Sequence, residues 1–291
     1  MNWTIENEKL TASFKQKGGE LTSLKSKETG IEYLWQGDPK FWARQAPVLF
    51  PFVGRLKNDS YVYNNNSYDV GQHGFARDLD FEVYEQTAEA LSLVLRSSDT
   101  TKKMYPFDFE LILSYHLEGS SLVCGYEVRN LSTEIMYFSI GGHPAFNLPL
   151  DETSQFTDYY FRFAPKKSRI QLPLVGPYVD LENKTLGQTN TDIAISHDLF
   201  KNDALIFETP GSQSISICSD KSVHSITLSY TDMPYVGLWS PNVEDAPFVC
   251  IEPWCGIADT VSTKGTLEDK LGINRLDKNE TFLSDYTITL K

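Results

Sequence analysis

Residues 109–128 read FELILSYHLEGSSLVCGYEV, and this stretch decides the fold class. Its two apolar halves, 109–117 and 122–128, are rich in β-branched and aromatic residues, which favour strands. Between them lies the short polar segment EGSS at 118–121, which contains a glycine and is typical of a hairpin turn. The stretch therefore predicts two antiparallel strands joined by a tight connection.

Further runs along the chain have the same strand character. Short apolar or alternating segments bounded by turn residues occur at 91–95, 135–140, 214–218, 225–230 and 248–252. Helical patterns are few and short, and they cover only 194–201 and 267–276. Many short strands separated by turns indicate a sandwich or a barrel. We therefore expect residues 1–291 to form a single large all-β domain.

The composition limits the classes of function. The chain has 291 residues, a formal net charge of -13 and 41% hydrophobic residues. Nucleic-acid binding needs a basic surface, so the acidic charge argues against it and, more weakly, against anionic membranes and highly phosphorylated partners. No stretch approaches about 18 consecutive apolar residues, and the N-terminus has no secretory signal. We expect a cytoplasmic protein for neutral or cationic small molecules, with no nucleic-acid or membrane partner.

Cysteine and histidine spacing gives no metal or cofactor signature. The four cysteines contain no C-x-x-C pair, which predicts free thiols in a reducing compartment. The five histidines are widely spaced without an H-x-H pair, so any metal ligands would have to come from separate strands. A P-loop and a G-x-G-x-x-G fingerprint are also missing. The sequence therefore predicts no metal and no cofactor.

Three motifs place polar residues inside aromatic or Gly/Pro-rich frames. Arg55 ends an apolar run in PFVGRL, and His73 is flanked by glycines in GQHGFAR, where the backbone can bend closely around the imidazole. His143 follows a predicted strand in GGHPAFNL, and the next proline stops that strand. A lone histidine is more often structural, but two in such frames favour a functional site.

A fourth element places a carboxylate at the end of a predicted strand. If 248–252 is a strand, alternation puts Cys250 and Glu252 on one face and Val249 and Ile251 on the other. Pro253 is then expected to end the strand, which leaves Glu252 at a sheet edge beside an aromatic ring. A partly desolvated carboxylate has a raised pKa and can act as a general base near neutral pH. A salt-bridged structural glutamate is the alternative.

Taken together, the four motifs resemble the aldose 1-epimerase (galactose mutarotase) family, and most closely its LacX-like branch. The motifs that carry the resemblance are Arg55, then QHGFAR, GGHPAFNL and IEPW in this order, and the likeness extends from residue 4 to about residue 289. The resemblance implies a large antiparallel β-sandwich, the supersandwich of galactose mutarotases. It also implies cofactor-free interconversion of the α and β anomers of a hexose.

The resemblance also implies roles for particular residues. Glu252 corresponds to the base that takes the proton from the anomeric hydroxyl, and His143 to the acid that protonates the ring oxygen from the opposite side. His73 and Arg55 correspond to residues that hold the substrate. The sugar-binding aspartate corresponds to Asp203, with Asp198 as the competitor. An aromatic platform for the sugar is expected, and the candidates are Phe75, Phe146, Trp239 and Trp254.

The chain departs from the family pattern at two places, so the substrate and the exact function stay open. It has GGHPAFN where better-known galactose mutarotases have an N-H-S-Y-F-N type segment, and Ala204 where they have a histidine after the aspartate. The expected partner is an aldohexose such as galactose or glucose, and the expected oligomeric state is a monomer or homodimer. A hexose-6-phosphate 1-epimerase is a second reading, which needs an Arg or Lys cluster near the site such as Arg77 or Lys57. A non-catalytic sugar-binding or regulatory protein, or a carbohydrate hydrolase or lyase, are further alternatives.

Overall fold

The fold is described by a computed structural model that covers residues 1–291. Strands account for 47% of the residues and helices for 6%, so the all-β prediction is confirmed. In chain order the strands are β1 (Asn2–Glu6), β2 (Leu10–Lys15), β3 (Leu21–Ser26), β4 (Val48–Leu49), β5 (Ser60–Tyr63), β6 (Asn66–Asp69), β7 (Glu82–Gln86), β8 (Ala90–Arg96), β9 (Phe109–Glu118), β10 (Ser121–Asn130), β11 (Met136–Phe138), β12 (Ile140–Gly142) and β13 (Ala145–Asn147).

The second half of the chain continues the same pattern of short strands. They are β14 (Tyr159–Ala164), β15 (Arg169–Leu172), β16 (Leu174–Val175), β17 (Tyr178–Val179), β18 (Thr185–Gly187), β19 (Ile193–Ala194), β20 (Leu205–Glu208), β21 (Gln213–Ser219), β22 (Ile226–Tyr230), β23 (Tyr235–Trp239), β24 (Phe248–Cys255), β25 (Asn274–Leu276) and β26 (Thr281–Leu290).

Helical structure is limited to single turns. One α-helical turn, α1, covers Asp99–Lys102, and 3₁₀ turns cover Lys57–Asp59, Ala76–Asp78, Phe156–Asp158 and His197–Phe200. The helix expected over 194–201 is reduced to the last of these turns. The helix expected over 267–276 is wrong, because Gly272 has φ +67°, outside the right-handed helical region, and the segment ends in β25. Both segments are too short for a helix to form without strong tertiary support.

A nine-stranded sheet forms one layer, in the order β19-β14-β21-β22-β26-β10-β9-β8-β7. The hairpin of β9 and β10 lies near its centre, in antiparallel register with Ser121 opposite Glu118, as the sequence predicts. Buried and partly exposed residues alternate along the whole of β10. One face of this sheet is therefore buried and the other faces outward.

An eight-stranded antiparallel sheet forms the second layer, in the order β18-β15-β20-β23-β24-β12-β4, with β13 also paired to β24. Apolar side chains of both sheets belong to one continuous core, for example Leu122 and Leu228 from the first layer and Val236, Val249 and Ile251 from the second. The two layers pack as a large antiparallel β-sandwich, as expected.

β24 is buried along its entire length. The predicted strand at 248–252 is confirmed, but the prediction that Pro253 ends it is wrong, because β24 continues to Cys255. On one side β13 pairs with residues 248–250 and β12 with residues 254–255, so 251–253 have no ladder partner there. A residue without an N–H is tolerated at such a gap.

All four cysteines are free thiols, and three of them are buried. None of the helical turns is long and apolar enough to cross a membrane.

Candidate active site

The site is built on the face of the eight-stranded sheet that points away from the core. Along β24, Val249 and Ile251 belong to the core between the sheets, whereas Glu252 and Trp254 line a cavity on the opposite face. This confirms the predicted alternation. Glu252 is only 2% exposed, so its carboxyl group lies at the floor of the cavity.

His143 lies beside Glu252 because it follows β12, the neighbour of β24 in the sheet. Its Nε2 is 3.2 Å from Oε2 of Glu252. The imidazole stacks on the Trp42 ring with centroids 4.7 Å apart and meets Trp239 edge-to-face. The two groups are thus in direct contact, rather than facing each other across the cavity as expected.

His73 is fixed by a reciprocal pair of hydrogen bonds with Gly54. The His73 N–H donates to the Gly54 carbonyl over 2.8 Å, and the Gly54 N–H donates to Nδ1 of His73 over 3.0 Å. An accepting Nδ1 requires the proton of a neutral ring to be on Nε2. The ring centroid is 5.7 Å from that of His143. His73 is therefore held as a hydrogen-bond donor beside the His143–Glu252 pair.

A glycine makes this bend possible, as the motif suggests. Gly74 has φ +71°, and a Cβ at this position would lie 2.2 Å from the Phe50 carbonyl oxygen. His73 itself has φ +66°, an uncommon conformation for a non-glycine residue. The local strain is offset by the two Gly54 hydrogen bonds.

The structure brings all five predicted site residues to one cavity. Its volume is about 300 Å³, and Arg55, His73, His143, Asp203 and Glu252 all line it. Asp198 does not line it and instead pairs with Lys201 on the surface. This placement favours Asp203 over Asp198 as the residue that meets a bound molecule.

Tryptophans form the apolar part of the lining. Trp239 and Trp254 face the cavity, whereas Phe75 and Phe146 lie in the core and are excluded as platforms. Trp42 was missed by the sequence reasoning, although an aromatic residue in the polar segment GDPKFWAR was an available signal.

Two glycines allow the Trp254 indole to occupy its place. A Cβ at Gly237 on β23 would lie 2.5 Å from Cη2 of the indole, and one at Gly141 on β12 would lie 2.6 Å from its Cδ1. These positions flank Trp254 on the two neighbouring strands. The ring therefore extends over both neighbours of β24, where side chains would otherwise stand.

Burial controls the ionisation of the central pair. Desolvation, reinforced by the charge of Asp203, raises the pKa of Glu252 well above its ordinary value. Desolvation also lowers the pKa of His143 to about 3, and the charges of Arg77 and Arg44 act in the same direction. Both shifts favour the uncharged forms, a protonated Glu252 and a neutral His143.

The same pair belongs to the one group of side chains that could hold a metal ion. Ligand atoms of His143, Cys250 and Glu252 lie within 4.8 Å of one another, and all three residues are buried. A soft divalent cation would suit this thiol and imidazole. It would occupy the same imidazole and carboxyl group that contact each other in this structure.

Two arginines line the cavity and a third acts on its histidines, which the acidic composition does not suggest. Arg77 lines it together with Arg55, and Arg44 is close enough to affect both histidines. Lys57, the other cation considered from the sequence, contacts the Val261 carbonyl and does not line the cavity. Arg44 was missed, because nothing in its local sequence marks it.

Comparisons with known proteins agree on one class. A model of the family described as aldose 1-epimerase matches residues 1–267. Protein LacX of Lactococcus lactis subsp. lactis, in both its plasmid and chromosomal forms, is 34% identical over 300 residues, covering 100% of this chain and 99% of the relative.

Solved structures extend the similarity to the whole fold. A galactose mutarotase related enzyme from Lactobacillus acidophilus has a TM-score of 0.98 and 42% identity, covering 100% of this chain and 97% of that one. A galactose mutarotase-like protein from Lactobacillus casei has a TM-score of 0.91 and 32% identity, with 100% of each chain covered. The fold is that of mutarotase-like proteins. The chain belongs to the aldose 1-epimerase family.

Proposed function

We propose that the protein is an aldose 1-epimerase that interconverts the α and β anomers of an aldohexose, such as galactose or glucose, by acid–base ring opening. The observation that carries the proposal is the 3.2 Å contact between His143 Nε2 and Glu252 Oε2 at the floor of the cavity. An imidazole and a carboxyl group in such contact hold one proton between them. Ring opening of a hemiacetal needs one group that accepts a proton from the sugar and one group that donates a proton to it.

The chemistry requires one proton to be removed from O1 while another is delivered to O5. Glu252 as a carboxylate takes the first, and His143 as an imidazolium supplies the second. Because O1 and O5 are both bonded to C1, adjacent acid and base groups reach both atoms from one side. The aldehyde then rotates about C1–C2, and reclosure with the roles reversed gives the other anomer and restores both groups.

The proton count of the pair stays constant through this cycle. Burial favours a protonated Glu252 and a neutral His143 before the sugar reacts. Transfer of that proton across the contact produces the carboxylate and imidazolium that opening needs. No proton has to come from solvent, and the mechanism requires neither metal nor nucleotide.

Three other groups are proposed to hold the sugar. His73 presents its Nε2–H, while Arg55 and Asp203 offer a donor and an acceptor at the cavity wall. The buried Trp254 Nε1–H interacts with the Glu252 carboxyl group and favours its charged form, so it supports the carboxylate that the mechanism needs. The tryptophan faces provide the apolar surface that sugar C–H groups pack against.

The test is the rate at which freshly dissolved α-D-glucose and α-D-galactose approach their anomeric equilibrium, followed by optical rotation. We expect the protein to accelerate at least one of them. Glu252→Gln and His143→Ala should each lower kcat by about 10²–10⁴-fold, the usual contribution of a general acid or base. Glu244→Gln, which changes an exposed carboxylate, is the matched control and should leave the rate unchanged.

The outcomes separate the other functions. A sugar-binding or regulatory protein would bind sugar without accelerating equilibration, and Glu252→Gln would then change nothing that depends on proton transfer. Release of a new reducing end from a disaccharide would indicate a hydrolase or lyase. Acceleration that survives in both Glu252→Gln and His143→Ala would refute the proposed acid–base pair.

A further inference from the structure

Arg77 is a cavity residue whose charge the protein only partly satisfies. Its side chain is 17% exposed and lines the same cavity as Glu252 and His143. One terminal nitrogen, Nη2, donates to the Gln72 carbonyl over 2.6 Å, but Nε is buried and has no acceptor within the protein. A buried charged donor without a partner is unfavourable unless a ligand supplies one.

The neighbouring carboxylate does not fill this role. Asp78 lies 3.9 Å from Nε of Arg77, beyond hydrogen-bond distance, and instead accepts from Arg44 over 2.9 Å. Burial and the charge of Arg44 lower the pKa of Arg77 to about 10, so the guanidinium remains charged at neutral pH. Arg77 is thus a cation with free hydrogen-bonding capacity.

Charged groups of both signs line the cavity. Asp203 is the charged neighbour that raises the pKa of Glu252, whereas Arg77 and Arg44 are the charges that act on both His73 and His143. Arg55 and Arg77 line the cavity, while Arg44 pairs with Asp78 and does not line it. Arg55 already offers a hydrogen-bond donor to the hydroxyls of a neutral hexose, so the unpaired charged donor of Arg77 is the group that an anion would satisfy.

We propose that the aldose bound in this cavity carries an anionic group, a phosphate or a carboxylate, that Arg77 binds with the support of Arg44 and Arg55. This inference rests on the proposed epimerase function and names its substrate class. A guanidinium presents parallel N–H donors that match the oxygens of either anion. It departs from the expectation, drawn from the net charge of -13, that the ligand is neutral or cationic.

The experiment measures anomer exchange at equilibrium by NMR magnetisation transfer between the anomeric protons. The substrates are galactose with galactose 6-phosphate, and glucose with glucose 6-phosphate and glucuronate. The wild-type protein should show a higher kcat/KM for an anionic sugar than for its neutral counterpart. A preference for the phosphates or for glucuronate identifies which anion the site recognises.

Variants separate recognition from a structural effect. Arg77→Gln should lower kcat/KM for the anionic sugar about 10- to 100-fold more than for the neutral one, the range expected for a charge-assisted hydrogen bond. Arg77→Lys should recover part of that loss, because it keeps the charge without the planar donors. Arg96→Gln removes the same charge from an arginine that pairs with Glu82 and Glu110 outside the cavity, and should change neither value.

Two results would overturn the inference while leaving the proposed function intact. One is equal kcat/KM for charged and neutral sugars in the wild-type protein. The other is an equal loss for both in Arg77→Gln, which would mean that Arg77 only supports the loop of Gln72 and His73. If no aldose is accelerated at all, the proposed function fails, and the substrate class fails with it.

Discussion

At the scale of single residues, His73 shows how burial ties a binding group to stability. Desolvation is the main cause that lowers its pKa well below 6.5, followed by the charges of His143 and of Arg77. The folded protein therefore keeps His73 neutral at pH values where the unfolded chain protonates it. Folding must exclude that proton, so the unfolding free energy falls as the pH drops below 6.5.

We predict that His73→Asn removes this part of the pH dependence. Asparagine tolerates the φ of +66° and can place an amide oxygen to accept from the Gly54 N–H. As the pH falls from 6.5 to 5.5, the unfolding free energy of the variant minus that of the wild type should rise by about 1 kcal/mol, and the slope approaches about 1.4 kcal/mol per pH unit at lower pH. Urea unfolding at pH 7.5, 6.5 and 5.5 measures it. A difference that does not vary with pH would mean that the folded protein also protonates His73.

Residue identity and local frame singled out His73, His143, Glu252 and Arg55, and the family resemblance added Asp203; the structure places all five around one cavity. Their convergence depends on strand order, which the local sequence does not encode. Trp42 and Arg44 were missed for that reason, since each reaches the site from a loop distant in sequence. The direct contact of His143 and Glu252 was missed too, because it depends on β12 and β24 being neighbours.

At the scale of elements, β24 shows where the sequence prediction succeeded and where it failed. The prediction of which residues share a face was correct, but the predicted end of the strand was wrong. Glu252 and Trp254 face the cavity and Phe248 and Cys250 pack in a separate apolar cluster, whereas Val249 and Ile251 face the core between the sheets. Both faces are therefore buried. The run FVCIEPWC is accordingly apolar on both faces, as fully buried strands are. Pro253 is a reasonable terminator in isolation. Only the pairing pattern of β12 and β13 reveals the gap that accommodates it.

We predict that Gly237→Ala on β23 impairs the site through the Trp254 indole. The added methyl would lie 2.5 Å from Cη2 of the ring, although φ at Gly237 is not positive and the backbone accepts alanine. The overpacking should cost about 1–3 kcal/mol of unfolding free energy and raise KM for the sugar as the ring is displaced. Thermal or urea unfolding and steady-state kinetics measure the two effects.

A double-mutant cycle with Trp254→Phe tests this cause. The smaller ring relieves the overlap, so the cost of Gly237→Ala should largely disappear in the Trp254→Phe background. Gly71→Ala is the matched control, because a Cβ there meets no atom within 4 Å and its φ is not positive. Additive costs in the cycle would exclude the indole as the cause.

At the scale of the whole molecule, the eight-stranded sheet separates two tasks. One face packs against the nine-stranded sheet to form the core, and the opposite face carries the cavity. The sequence predicts the all-β class and most strands, because these depend on local periodicity. The family resemblance anticipated a two-layer sandwich, but the site on the outer face of one sheet depends on long-range pairing and was not predicted.

This separation predicts that core mutations affect activity according to the sheet in which they lie. Leu228 on β22 and Ile251 on β24 are both fully buried in the same core. Leu228→Ala and Ile251→Ala should each lower the unfolding free energy by about 2–5 kcal/mol. Only Ile251→Ala should also lower kcat/KM, by about 10-fold or more, because Ile251 adjoins Glu252 and a shift of β24 would break its contact with His143. Leu228→Ala, one sheet away, should change kcat/KM of the folded fraction by less than about threefold. Urea unfolding measures the unfolding free energy, and anomer-exchange kinetics below the unfolding transition measure kcat/KM. Equal losses of kcat/KM in the two variants would contradict a site that depends on its own sheet alone.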